Sequence, residues 1–408
     1  MIPATFKEAQ TALTEFLPRA GSYYAQERNF DRGPHDRSNV SQLSSVLSHR
    51  VLSEKEVLEA VLKTHSWPAA EKFLQEVLWR SYWKSWLELR PSVWKHYSAA
   101  SQNQKMTPAL SLALSGETGI ACFDFWRKEL RETGYLHNHA RMWFASIWIF
   151  TLKQPWEIGA RLFENELLDF DAASNTLSWR WVAGLHTPGK HYVARAENIE
   201  KFTEGRFHPE GQLDEAAQAF PFQALPIEPT SEKLTPAVLK TGRWGLLVHE
   251  EDFSLERTQL KDWPIAALAL WDPQAYWPST KSPVVKKYFQ TMQQDAVQRL
   301  SQQFKKPVRE FSAGPLAGVL QEWVKTEKLD GVVLVKPWQG RLLEAWEKTQ
   351  QELAGACVPL YYLRRDYDAA FLGKAKAGFF SFKETMKDAI TPLANAPAFA
   401  LETVWQTT

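Results

Sequence analysis

The chain has 408 residues with a hydrophobic content of 44%, and Lys+Arg 48 against Asp+Glu 47 leaves a net charge of +1. This suggests two or three domains and excludes a strongly basic DNA-coating protein or an acidic tail, while a local basic groove stays compatible with neutrality. Two cysteines, Cys122 and Cys357, make no disulfide framework and point to a reducing, cytoplasmic setting, whereas 19 Trp residues are far more than packing alone calls for.

The N-terminal MIPATFKEAQ lacks a basic-then-apolar signal pattern. Amphipathic spacing predicts helices over roughly 5–18, 53–64, 69–88, 122–132 and 138–152, with Ser53 and Glu56 forming a capping-box pattern. The apolar run Met142–Leu152 has half the length of a membrane span and reads as a buried helix, so no membrane association is expected. Residues 1–220 are therefore expected to form an all-helical domain. Residues 221–242 carry four prolines and little periodicity, which predicts a linker.

Beyond the linker, short apolar strands at 245–249, 266–271, 308–311, 331–335 and 358–363 alternate with helices at 283–304, 315–328 and 340–354. This βα alternation predicts a Rossmann-like parallel α/β domain over 243–390, followed by a tail at 391–408.

P-loop, GxGxxG, HExxH, GxSxG and CxxC patterns are absent. His137 and His139 lie two apart, a spacing that points them apart on a helix, so no metal site is expected. The stretch 69–88 presents two faces. Leu74, Val77 and Leu78 form an apolar one, and Glu76, Trp79, Arg80 and Trp83 follow helical spacing on another. Charge between indoles suits either a cavity lining or an exposed, salt-bridged domain contact. On the next such helix, Arg141 needs a carboxylate partner, for which Asp169 and Asp171 are the nearest candidates. Trp179 and Trp181 would share a side if SWRW were extended.

Together, SYYAQERNF, SNVSQLSSVLSHRVLS, FLQEVLWRSYW, GETG, TGYLHNHARMWFAS and ELLDFDAASNTLSWRW resemble the FAD-binding domain of the DNA photolyase and cryptochrome family, across about residues 20–200. The resemblance implies a FAD held within the helical domain. Tyr24, Ser41, Gln42, Leu43 and Ser44 match the diphosphate end, with Val40 where the family usually has Thr. Arg141 with Asp169 matches an ion pair across the isoalloxazine, Asp171 a carboxylate at its polar edge, and Asn175 the residue beside flavin N5. Glu76, Trp79, Asn138, Met142 and Trp181 match contacts to a flipped cyclobutane pyrimidine dimer; Trp79, Arg80 and Asn138 are assigned to both cofactor and substrate.

The implied function is light-driven repair of such dimers in DNA, by electron transfer from photoexcited reduced FAD. Glu76, Asn175, Trp179 and Trp156 are its expected catalytic residues. A blue-light photoreceptor acting on a protein partner is the alternative, and a DNA-binding protein without flavin is a third reading.

Three departures stand out. Trp179 and Trp156 match the inner members of the family's electron-transfer chain, but Ala113 occupies the outer position, for which Trp126, Trp143 or Trp148 are possible substitutes. His139 stands where the family commonly has a DNA-facing Arg. The domain order is also reversed. GLLVHEEDFSLERTQLKD, LALWDP and AGFFSFKETM resemble parts of the family's N-terminal α/β domain, which implies a circular permutation; an unrelated fused domain is the alternative. Glu250 and Glu251 replace the usual Arg pair of its first loop, so a second, antenna chromophore is left unassigned.

Overall fold

The Thr5 and Ser53 side chains each accept a hydrogen bond from the backbone N–H three residues on, and the Glu8 and Glu56 carboxylates accept from the Thr5 and Ser53 backbone N–H. These capping boxes start the helices Phe6–Phe16 and Glu54–Thr64 in a computed structural model. The structure describes residues 2–102, 105–228, 234–237, 241–312, 315–355, 358–393 and 403–407; Cys357 lies outside them, and Cys122 is a buried free thiol.

The helical half is organised around the long helix Trp67–Glu88, against which Ala172–Val182 packs. Leu74, Val77 and Leu78 are buried as the pattern predicts, and so is Phe73. Trp83 is buried as well, which corrects its placement on a cavity-lining face: Trp79, Tyr82 and His186 surround its ring. The stretch 138–152 is an α-helix over Asn138–Ser146 followed by a π-turn at Ile147–Thr151, where Leu152 N–H bonds the Ile147 carbonyl at 2.8 Å. The segment SWRW is helical, so Trp179 and Trp181 point apart.

The other half is a sheet of order β1-β7-β6-β5-β2-β3-β4. Its strands are β1 Leu234–Ala237, β2 Trp244–Val248, β3 Ile265–Trp271, β4 Val308–Phe311, β5 Gly331–Val335, β6 Leu360–Arg364 and β7 Thr403–Thr407. Strands β2 to β6 run parallel to one another, in the doubly wound order with β2 and β5 at the centre. Near-continuous burial of β2, β3 and β5 follows from helices on both faces. Two expectations are corrected at the edge. The presumed linker contains β1, and the presumed tail contains β7, which pairs antiparallel with both β6 and β1.

The halves meet through buried charge. Arg50 sits in the left-handed region at φ +48°, and its Nη1 bonds Asp368 at 2.7 Å while its Nε bonds Glu54 at 3.1 Å. Arg365 grips Asp252 with two bonds of 2.7 Å. Arg80 reaches Glu54 at 2.9 Å and Asp171 at 2.8 Å, and Lys84 reaches Asp171 at 3.0 Å. Four cations thus face four carboxylates in one network, the balance that burial of charge demands.

Candidate functional site

The helix Asn138–Ser146 begins where the His137 side chain accepts from the His139 N–H, and it places Arg141 one turn in. Arg141 closes a bidentate pair with Asp169 at 2.8 and 3.0 Å, and its Nε bonds the Leu136 carbonyl at 2.9 Å. Of the two carboxylates available in sequence, the structure selects Asp169 for Arg141. Asp171 instead caps the helix Ala172–Val182 by accepting from Ser174 N–H at 2.8 Å, and takes Arg80 and Lys84 as partners. Burial pushes the Asp171 carboxyl up, but these two cations outweigh it and hold it well below the usual carboxylate range.

One turn into that helix, Asn175 is buried and donates to the Ala160 carbonyl at 2.8 Å. Trp179 follows one turn later, buried against Gly159. A Cβ at Gly159 would meet the Trp179 ring at 2.3 Å and Trp148 Nε1 at 2.9 Å, so only glycine permits this approach of the two helices. Trp156, at the start of Trp156–Glu166, lies one turn before Gly159.

At the other end, Ser41 and Gln42 are half-buried, Leu43 is buried and Ser44 exposed, with Gln42 at φ +55°. Tyr24 is buried against Phe16 and Phe73, and burial raises its phenol above the ordinary range. Sequence reasoning missed Tyr135, whose ring lies 4.2 Å from the Arg37 guanidinium and 5.3 Å from that of Arg141. Its position directly before the LHNH segment was the available signal.

The residues expected on the substrate side are placed less openly. Glu76 pairs with Arg28, and burial keeps its carboxyl above the usual range despite that cation. Trp79 stacks on Phe379 of the C-terminal helix Phe379–Leu393. Arg80 is committed to the ion network. Trp181 stacks on Tyr192 at 6.0 Å, Asn138 is exposed and Met142 half-buried. A groove of about 490 Å³ opens beside them, lined by His139, His191, Tyr192, Arg195 and Asn198 among others. His139 stacks on Trp143 at 4.2 Å, and burial lowers its pKa. Among the described residues no acidic, His or Cys cluster is suited to a metal ion, and no helix is long and apolar enough to cross a membrane.

At the carboxyl ends of β2 and β5, where doubly wound sheets usually bind ligands, the chain fills the crevice itself. His249 bonds the Val335 carbonyl at 2.7 Å, and Glu250 accepts from Tyr276 at 2.8 Å and from Trp277 at 3.1 Å. The cavity left beside Glu250 and Lys281 is about 60 Å³, room for a few waters.

Residues 73–213 match the family model described as the FAD binding domain of DNA photolyase. The chain is 29% identical over 199 residues to the deoxyribodipyrimidine photo-lyase of Escherichia coli strain K12, covering 47% of this chain and 41% of that protein. It is 29% identical over 222 residues to the cryptochrome DASH of Idiomarina loihiensis, covering 51% and 47%. A bacterial class III photolyase from Agrobacterium tumefaciens superposes with a TM-score of 0.42 at 26% identity, over 48% of this chain and 42% of that one. Residues 73–213 are thus similar to the FAD-binding domain of photolyases, and the cofactor of such a domain is FAD. The chain spans less than half the length of these curated relatives.

Proposed function

We propose that this protein repairs cyclobutane pyrimidine dimers in DNA with light, through FAD held by the helical half. The observation that carries this reading is the Arg141–Asp169 pair, with Arg141 on one helix face with Asn138 and Met142, together with Asn175 on the helix Ala172–Val182. The side chains fit the cofactor. Hydroxyl and amide groups at Ser41, Gln42 and Ser44 suit a diphosphate, and Arg141, Asp169, Asp171 and Asn175 offer charge and hydrogen bonds to a flavin ring. When bound, the flavin supplies the photochemical electron.

The chain's own residues orient and desolvate. Glu76, kept above the usual carboxylate range, donates or accepts a hydrogen bond at a base edge, and Trp79 and Trp181 supply ring faces for extruded bases. The α/β half stands as a circularly permuted counterpart of the family's N-terminal domain, a reading supported by its doubly wound strand order. The test is illumination of the reduced, FAD-loaded protein with thymine-dimer DNA. Loss of dimers supports repair, and unchanged dimer content overturns it.

A second reading, a blue-light photoreceptor acting on a protein partner, is favoured by one observation: Phe379 already occupies a face of Trp79. Light-dependent partner binding without dimer loss would establish it.

A further inference from the structure

The outer position of the expected electron-transfer chain is Ala113, a fully buried aliphatic residue that cannot be oxidised. The suggested substitutes lead elsewhere. Trp148 lies 6.4 Å from Trp179, but its further ring neighbours are Phe144 and Phe123, which do not carry electrons. Trp126 and Trp143 stack on each other at 5.4 Å, and Trp143 stacks on His139.

A different series runs outward from Trp156. Its ring stacks with Tyr97 at 5.8 Å and 25°, and Tyr97 contacts Trp94 at 5.2 Å. Trp94 Nε1 donates to Glu344 at 2.8 Å, and the Glu344 side chain is 41% exposed. Local structure explains the alignment. Trp94 and Tyr97 sit three apart on the helix Pro91–Ala100, while Trp156 and Glu164 lie on the facing helix. The Tyr97 hydroxyl donates to Glu164 Oε2 at 2.8 Å. Arg341 binds the same carboxylate, and Lys281 donates to the Glu164 carbonyl at 2.7 Å.

We propose that Tyr97, with Glu164 as its proton acceptor, takes the place of the missing outer tryptophan as electron donor to Trp156. This rests on the reading of the helical half as a photoactive flavin domain. With the cofactor bound and oxidised, Trp179 would be the residue that supplies its photochemical electron and Trp156 the residue that refills Trp179, leaving an indole radical cation at Trp156. Tyr97 gives that indole one electron and gives Glu164 its phenolic proton. Trp156 is thereby restored, Tyr97 becomes a neutral radical and Glu164 a neutral acid. A phenol is a useful donor only if its proton leaves with the electron, and a carboxylate within hydrogen-bond reach provides that route. An external thiol then returns one electron through Trp94 while Glu164 returns the proton; the thiol ends as a thiyl radical, its own proton going to water.

The test is transient absorption of the FAD-loaded, oxidised protein after a light pulse, with electron paramagnetic resonance of samples frozen under illumination. The wild type should yield a neutral tyrosyl radical that forms more slowly in D2O. Tyr97→Phe should abolish that signal and leave an indole radical that recombines on the order of tenfold faster or more. Glu164→Gln should slow tyrosyl formation on the order of a hundredfold. A wild type whose trapped radical is an indolyl, or a Tyr97→Phe protein with unchanged kinetics, overturns the assignment while leaving the flavin reading intact. A wild-type protein that binds no flavin or shows no light-driven reduction overturns both.

Discussion

Phe379 lies flat on Trp79, with ring centroids 3.7 Å apart and planes inclined by 7°. Lys383, one turn further, pairs with Glu71 at 2.9 Å, and Phe382 contacts Tyr82 at 5.5 Å, so the start of the C-terminal helix is clamped along the long helix. One face of the Trp79 indole, the residue proposed to stack on an extruded base, is covered by the Phe379 ring.

Phe379→Ala should therefore act in two directions. Removing a buried ring costs about 3 kcal/mol of stability, measured by chemical denaturation. The same change should expose Trp79 to a collisional fluorescence quencher and tighten binding of dimer-containing DNA. Weaker binding in a folded variant would mean that Phe379 supports the site.

Arg50 is the hub between the halves. Arg50→Met leaves Asp368, Glu54 and Asp252 buried without their shared cation, and should lower unfolding free energy by about 3–5 kcal/mol. Urea denaturation checks this; a loss under 1 kcal/mol would show that the network reorganises around water.

Stability should depend on pH with opposite signs at two carboxyls. Burial raises Asp252, but Arg365 and Arg50 outweigh it and bring it to about 2. Its folded pKa lies below the unfolded one, so its contribution of about 2 kcal/mol is present above pH ~4 and lost as pH falls towards 2. Burial lifts Glu250 to about 7 against the attraction of Lys281. Its folded pKa is raised, so stability present below pH ~4.5 is lost as pH rises through 7. Glu250→Gln should remove this second slope and stabilise the protein at pH 8 by roughly 2–3 kcal/mol, read from melting curves across pH.

Gly159→Ala places a methyl group into the Trp179 ring. Overpacking of this kind should cost about 1–3 kcal/mol and alter the near-ultraviolet circular dichroism of the indoles. An unchanged spectrum would mean that the two helices part to admit the methyl.

Much of this molecule was legible along the chain. The helix Pro283–Phe304 and the strands Val308–Phe311 and Gly331–Val335 fall where periodicity and apolar runs put them, and the Ser53 capping box is formed. The need of Arg141 for a carboxylate was also readable. Choosing Asp169 over Asp171 was readable only through the family resemblance, because polarity and spacing alone suit either carboxylate. The form of SWRW was not readable, since helical packing overrode an extended reading, and nor were the edge strands, which exist only once β6 is available to pair.

The sequence by itself determined the elements, the order of helical and α/β halves and the segments that carry the family's pattern. These rest on interactions within a few residues: caps, turn chemistry and the period of the apolar face. Only the tertiary structure decided that Arg50 meets a carboxylate 318 positions away, that Phe379 covers Trp79 and that Tyr97 stands between Trp156 and Trp94. Such contacts are set by the docking of whole faces, and a local pattern of polarity does not encode which distant ring or charge will arrive there.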